Sequence, residues 1–170
     1  MVELLVIVAI LGIVSGGIAY SYGLVNSANA EKATQSISGA LEKVRIETMS
    51  KSKQSYLVLY KSNLESYEGY YIASTTDLSS FVQEPKKHTK IANQRMFIEV
   101  TLTDGVVVKV ETTPIYISFD RSTGAFIDCY SGSDVLALES KKPPASIKVY
   151  GNGKERVITS ITTTGKHYME

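Results

Sequence analysis

The chain has 170 residues, of which 18 are Lys or Arg and 17 are Asp or Glu. This near-neutral balance argues against a strongly electrostatic nucleic-acid binder, although it allows a local basic patch. Cys129 is the only cysteine, which excludes an intramolecular disulfide and a cysteine-based metal cluster. Without its apolar beginning the chain keeps about 140 residues, a common size for one domain.

The first thirty residues form the most distinctive stretch of the chain. Residues 4–14 are almost all aliphatic, and no charged residue occurs between Glu3 and Glu31. A helix over residues 4–26 would be about 35 Å long, which is enough to cross a hydrocarbon layer of about 30 Å. The sequence therefore predicts a transmembrane helix within residues 1–30. A signal peptide cleaved near residues 27–30 stays open as an alternative, although no basic residue leads the apolar run.

The helical pattern continues beyond the apolar stretch. Apolar residues and one threonine recur at offsets of 0, 4, 7, 8, 11 and 15, which lie on one face of a helix. No proline precedes Pro85, so nothing forces a break. We therefore predict one helix over residues 2–52, about 75 Å long. The residues of the stripe are Ala33, Ile37, Ala40, Leu41, Val44 and Thr48.

After residue 52 the pattern becomes that of strands. β-favouring runs are separated by turn signals such as Asp104-Gly105, which predicts a tight hairpin. Residues 75–93 and 141–144 are predicted to be loops. The predicted fold is α+β: an amphipathic helix half (31–52) packed on one antiparallel sheet (55–165), together forming a domain over 31–170. The predicted strands are 56–60, 69–73, 96–102, 106–110, 115–119, 125–127, 146–150 and 156–161.

The beginning of the chain, from Met1-Val2-Glu3-Leu4-Leu5 to Val14, resembles the N-terminal methylation motif of type IV pilins and type II secretion pseudopilins. In that family a glutamate stands just ahead of an aliphatic run, and Glu3 matches it. The strict match covers about fourteen residues, and the order of a helix followed by strands extends it more loosely. The resemblance implies a pilin-like fold and a single-pass membrane protein whose globular domain lies outside the cytoplasm. In the filament, that domain would be periplasmic or at the cell surface.

The resemblance assigns roles to residues of the helix. It implies that Glu3 pairs with the N-terminal amine of a neighbouring subunit in the filament core, since an intramembrane acid needs compensation. Gly12, Gly16 and Gly17 would permit close helix packing through Gly12-x-x-x-Gly16 or allow the segment to extend during assembly. The implied partners are other pilin or pseudopilin subunits, membrane lipid, an assembly platform and a prepilin peptidase.

The family pattern also includes residues ahead of the position of Met1. Its members carry a leader that ends in glycine, followed by a phenylalanine that is later methylated. We expect the natural gene to continue upstream of Met1 with such a leader.

The C-terminal part is similar to the minor H-type and FimT-like pseudopilins, in the run from Ile115 through Asp120-Arg121-Ser122-Thr123-Gly124 to a late Gly165. Some FimT-like proteins bind DNA through basic residues near the C-terminus. Basic residues of the closing hairpin and the tail could form such a patch, or could be solvated edge residues. The candidates are Lys154, Arg156, Lys166 and His167.

Catalytic and metal sites have little support in the sequence. The two histidines, His88 and His167, are far apart and lack a metal-ligand partner at helical spacing. Three acids could bind calcium, but no EF-hand pattern is present, and capping of turns is the favoured interpretation; they are Asp120, Asp128 and Asp134. We therefore expect neither enzymatic activity nor a cofactor.

Two hypotheses of function follow. The first is a structural subunit, a minor pilin or pseudopilin, of a type IV pilus or type II secretion-like filament, held in the membrane and assembled through its N-terminal helix. The second is a membrane-anchored DNA-binding minor pilin that serves DNA uptake in competence. Salt-dependent binding of DNA separates the two hypotheses.

Overall fold

A computed structural model describes residues 2–51, 53–111, 113–132, 139–151 and 154–170. Within these ranges, the side chains of residues 4–5, 16–26, 139–141 and 154 are not described. The chain begins with helix α1 (Val2–Ser50), which has 49 residues and is about 74 Å long. The continuous helix predicted from the sequence is therefore confirmed, and it ends two residues earlier than expected.

The second half of α1 buries one stripe, as the spacing of its residues predicts. Ala30 is buried, and Ala33, Ile37 and Leu41 are fully buried. Thr34 also lies on this face, where its hydroxyl donates to the carbonyl of Ala30 at 2.8 Å. The helix can pack close to a sheet along this stripe, because its side chains are small or aliphatic and recur at helical spacing.

Eleven strands follow the helix in the described ranges, and eight of them overlap the predicted ones. The Asp104-Gly105 hairpin is confirmed: strands β4 and β5 pair across it, and Gly105 has a φ of +84°. Strands β3, β8 and β11 were not predicted, because each has only three or four residues and little hydrophobic pattern. The strands are β1 (Tyr56–Ser62), β2 (Gly69–Thr75), β3 (Thr89–Ala92), β4 (Phe97–Leu102), β5 (Val107–Lys109), β6 (Ile115–Phe119), β7 (Phe126–Ser131), β8 (Glu139–Lys141), β9 (Pro144–Gly151), β10 (Lys154–Ile161) and β11 (Lys166–Met169).

The strands form two antiparallel sheets rather than the single sheet that we predicted. Sheet A has the order β3-β2-β1-β6-β7-β8, and sheet B has the order β11-β10-β9-β4-β5. The pilin-like α+β fold with one sheet is therefore wrong in its sheet. Alternating patterns specify which face of each strand is buried, but they do not specify which strands pair, and β4 pairs with β9 across more than forty residues of chain.

One hydrophobic core joins the helix to both sheets. It contains Leu41 of α1, Leu59 and Ile117 of sheet A, and Val100 and Ile147 of sheet B, all almost completely buried. A second, smaller cluster lies on the opposite face of sheet A and is built from Val58, Tyr60, Tyr71 and Tyr116. Sheet A is thus covered on both faces along part of its length.

Hydrogen bonds at two places connect the two sheets outside the core. Glu111, which follows sheet B, accepts hydrogen bonds at 3.3 Å from Lys61 and from the hydroxyl of Tyr70, both in sheet A. Elsewhere, the amide of Phe126 in β7 donates to the carbonyl of Thr162, just after β10, at 3.1 Å. These hydrogen bonds link the two sheets outside the core.

The prediction of a membrane-spanning segment needs correction. In the part of the chain that the structure describes, no helix is long and apolar enough to cross a membrane. The predicted transmembrane half of α1, and with it the single-pass membrane location, is therefore wrong on this finding. Our prediction relied on the absence of charge between Glu3 and Glu31, whereas the aliphatic run at residues 4–14 accounts for only about 16 Å of helix, and a span needs about 20 mostly apolar residues.

Candidate functional site

Among the described residues, the most exposed apolar surface is the beginning of α1, residues 2–15, which we call the apolar segment. Every residue of this segment whose side chain is described is exposed. Ile13 is 77% exposed and Val2 is 75% exposed. Among the described side chains of α1, Ala30 is the first that is buried, so the apolar segment lies ahead of the part of the helix that the sheets are seen to cover.

The exposed side chains of the apolar segment surround the helix. At 3.6 residues per turn, the consecutive large residues point in all directions rather than along one stripe. A helix that is apolar all round is normally buried on all sides, and large exposed apolar patches mark interaction sites. Full burial of each such side chain contributes roughly 1.5–3 kcal/mol. The large exposed residues are Val2, Val6, Ile7, Val8, Ile10, Leu11, Ile13 and Val14.

Glu3 lies in the first turn of α1 and is exposed. An acid at this position interacts favourably with the unpaired amides and the positive end of the helix dipole. The carboxylate is therefore compatible with a local role in the helix as well as with contact to a neighbouring chain. It is the only charged residue of the apolar segment.

Gly12 is not required by the packing of this chain on itself. A Cβ atom placed on Gly12 would have no neighbouring atom within 4 Å. A glycine costs about 1 kcal/mol relative to alanine inside a helix, so its presence here needs a reason outside the folded subunit. Close approach of another helix would supply that reason. Gly16 and Gly17 belong to α1, but their surroundings lie outside what the structure describes.

The basic residues proposed to bind DNA do not share one face of sheet B. Arg156 is half-buried. It is two residues from buried Ile158 on the same strand, so both lie on the face of sheet B that faces the helix. Lys166 pairs with Ile161 on β10, so it lies on the opposite face and is exposed. Lys154 begins β10, and its side chain lies outside the described part.

His167 packs against the helix rather than facing solvent as part of a patch. Its Nε2 lies 2.9 Å from the hydroxyl oxygen of Ser38 and 3.1 Å from the carbonyl oxygen of the same residue. Its Nδ1 is buried and has no hydrogen-bond partner among the described residues. His167 therefore connects β11 to α1, a contact that its position in the sequence did not indicate.

The outer face of sheet B carries acids beside its cations. Lys148 forms an ion pair with Glu155 at 3.1 Å, and Tyr150 donates a hydrogen bond to Glu99 at 2.7 Å. The hydrogen bond to Glu99 raises the pKa of Tyr150 to about 12. Paired charges attract a phosphate backbone much less than unpaired lysines do, because the carboxylates repel it.

Metal binding has no support in the described part of the chain, where no group of three or more candidate ligands occurs. Asp120 instead organises its own turn: its carboxylate accepts hydrogen bonds from the hydroxyls of Ser122 at 2.5 Å and Thr123 at 2.9 Å. These hydrogen bonds lower the pKa of Asp120 to about 2. Asp128 accepts a hydrogen bond from Tyr130, and Asp134 lies outside the described residues.

Sequence reasoning missed an aromatic cluster on the outer face of sheet A. His88, which we placed in a polar loop, stacks on Phe81 with ring centroids 5.4 Å apart. Its Nδ1 lies 2.7 Å from the hydroxyl of Tyr60, whose ring stacks on Tyr71. Loss of solvent around His88 lowers its pKa, and nearby Lys87 lowers it further. The tyrosines that the sequence places on β1, β2 and β6 were the available signal.

Comparison with known proteins adds no identification: no protein-family model, no curated protein and no solved structure matches this chain.

Proposed function

We propose that the protein is a structural subunit of a helical filament of the type IV pilus or type II secretion class, assembled through the apolar segment of α1. The observation that carries this proposal is the exposure of large aliphatic side chains all round residues 2–15. The resemblance of residues 1–14 to the methylation motif of pilins and pseudopilins supports the same function.

The distribution of the exposed side chains argues for many neighbours rather than one. A single partner helix covers one stripe of about 100° or more, which would leave the rest of the segment in water. A helical stack of identical subunits surrounds each apolar segment with several others, and a head-to-tail contact that does not close into a ring extends indefinitely. Gly12 then allows adjacent helices to approach closely.

Glu3 sets the register of the subunits in this proposal. A carboxylate buried between apolar helices is costly unless it meets a positive group. Its burial is therefore favourable only where a neighbouring chain provides that group, and subunits shifted along the axis lose the contact. The acid selects one arrangement among the many that apolar contacts alone would permit.

The test is the assembly of purified full-length chain after removal of detergent, followed by electron microscopy and sedimentation. We expect filaments from the unaltered chain. Replacement of both Ile10 and Ile13 by Asn should abolish them, while Ile46→Asn should not, because Ile46 is an exposed residue of the covered helix half. Glu3→Ala should give short or irregular assemblies. Regular filaments from the Ile10 and Ile13 variant would refute the proposal.

A further inference from the structure

A groove runs along one side of α1, between the helix and the edge of sheet A. Its central cavity measures about 280 Å³ and lies between Gly39 and Lys43 on the helix and Ala73 and Ser74 on β2. Two separate cavities flank it along the helix, one lined by Lys32 and Lys90 and one lined by Lys51 and, like the central cavity, by Ser74.

The groove exposes the backbone edge of a strand. Strand β3 covers the edge of β2 only as far as the pair of Ile72 with Thr89. Residues 73–75 continue β2 and pair with β1 on their other side. A strand alternately directs its N–H and C=O groups to its two sides, so this end of β2 can accept a further strand. Addition of an extended peptide to a free sheet edge is a common mode of recognition.

The helical wall of the groove leaves room for side chains of such a peptide. A Cβ atom on Gly39 would meet no atom within 4 Å. The floor beside it is apolar, formed by Ala40, Val44 and Leu57. An aliphatic side chain of a bound strand would therefore find an apolar surface next to Gly39.

The charges along the groove are mainly positive. Lys32, Lys43 and Lys90 are exposed, and none of them forms an ion pair within the described ranges. Lys51 is paired with Glu47 at 3.4 Å, and Glu47 is the one acid among the described residues that line these three cavities. The lining of the three cavities runs from Asn29 in the helix to Lys51 just beyond its end, about 33 Å, which matches roughly ten residues of extended chain.

From this geometry we infer that the groove binds an extended, acidic peptide segment of another protein. The segment adds to the free end of β2, places an aliphatic side chain beside Gly39, and directs its carboxylates to the lysines along the rim. This binding is independent of filament assembly, since the groove lies on the covered half of α1.

The test uses the full chain, kept monomeric in a non-ionic detergent, and a fluorescent twelve-residue peptide of alternating valine and glutamate. A peptide with lysine in place of glutamate is the comparison. We expect saturable binding of the acidic peptide by fluorescence anisotropy, at least tenfold tighter than that of the basic peptide and weaker at high salt. Hydrogen exchange at residues 73–75 should slow when the acidic peptide binds.

Variants distinguish binding in this groove from non-specific electrostatic attraction of the acidic peptide to the protein. Gly39→Phe fills the cavity, and Lys43→Glu reverses a rim charge, so each should weaken binding at least tenfold. Lys166→Glu, which reverses the charge of an exposed residue on the outer face of sheet B, should leave binding unchanged. The inference is overturned if the acidic peptide does not bind, if Gly39→Phe binds it normally, or if the groove proves to be occupied by a second copy of the chain.

Discussion

Gly165 lies so close to Gly124 that a Cβ atom on Gly165 would be 1.7 Å from the carbonyl oxygen of Gly124. The same oxygen accepts a hydrogen bond from Nε of Arg45 in α1 at 3.1 Å. The turn before β7, the turn before β11 and the helix therefore meet at one point. Only a residue without a side chain fits there, and the φ of +66° at Gly165 also favours glycine.

This contact predicts that Gly165→Ala destabilises the protein strongly. Gly105→Ala is the matched control, because Gly105 also has a positive φ but has open space around it. Gly105→Ala should lower the free energy of unfolding by about 1 kcal/mol through backbone strain. Gly165→Ala should lower it by about 1–3 kcal/mol more, because the added Cβ atom clashes with Gly124. Urea unfolding followed by circular dichroism measures both. Equal losses of unfolding free energy in the two variants would mean that the turns at Gly124 and Gly165 can move apart without a cost in stability.

The buried stripe of α1 predicts a large effect at Leu41. Leu41 is completely buried in the core that the helix shares with both sheets. Leu41→Ala should lower the free energy of unfolding by about 2–5 kcal/mol, because it leaves a cavity. Ile46→Ala, at a position that is 55% exposed on the same helix, should change it by no more than about 0.5 kcal/mol. Comparable losses in the two variants would contradict the packing of α1 described above.

The aromatic cluster predicts a pH dependence of stability that depends on His88. Its pKa in the folded protein is lowered from 6.5, mainly by burial, so the unfolded chain binds a proton more readily. The stabilisation is complete above pH 6.5 and is lost as the pH falls below it. The melting temperature should therefore fall between pH 7 and pH 5.5. Glu84 opposes the effect by raising the pKa, which limits its size.

Two variants test whether His88 causes this pH dependence of stability. His88→Gln should remove most of the change in melting temperature between pH 7 and pH 5.5, since no other described group of the cluster titrates there. His167→Gln, which replaces the only other histidine, should retain it. If the loss of stability persists in the first variant, the cluster around Tyr60 does not depend on a neutral imidazole.

The exposure of Gly39 predicts a stabilising substitution. The residue lies inside α1, and a Cβ atom there meets nothing. Gly39→Ala should therefore raise the free energy of unfolding by up to about 1 kcal/mol, through the better helix propensity of alanine. Thermal unfolding of the full chain measures the gain. A loss of stability would show that this face of the helix is covered in the folded protein.

Particular elements show how far the sequence could predict the fold. The stripe from Ala33 to Thr48 was identified correctly, because helical spacing is a local property that survives in almost any tertiary context. Strand β3 was missed, because Thr89–Ala92 has no pattern of its own and is a strand only through pairing with β2. For the candidate site, the apolar segment was evident from the sequence alone. That Arg156 and Lys166 lie on opposite faces of sheet B could be known only from the register of β10 with β11.

The sequence by itself determined the long helix, its two chemically different halves and most of the strands, because periodicity, the absence of proline and turn residues act within short windows of chain. Only the tertiary structure decided that the strands divide into two sheets, that His88 and His167 are packed rather than solvated, and that a groove lies between α1 and β2. Each of these depends on residues that are distant in the chain, and the energy of such contacts is set by which surfaces meet when both sheets close on the helix.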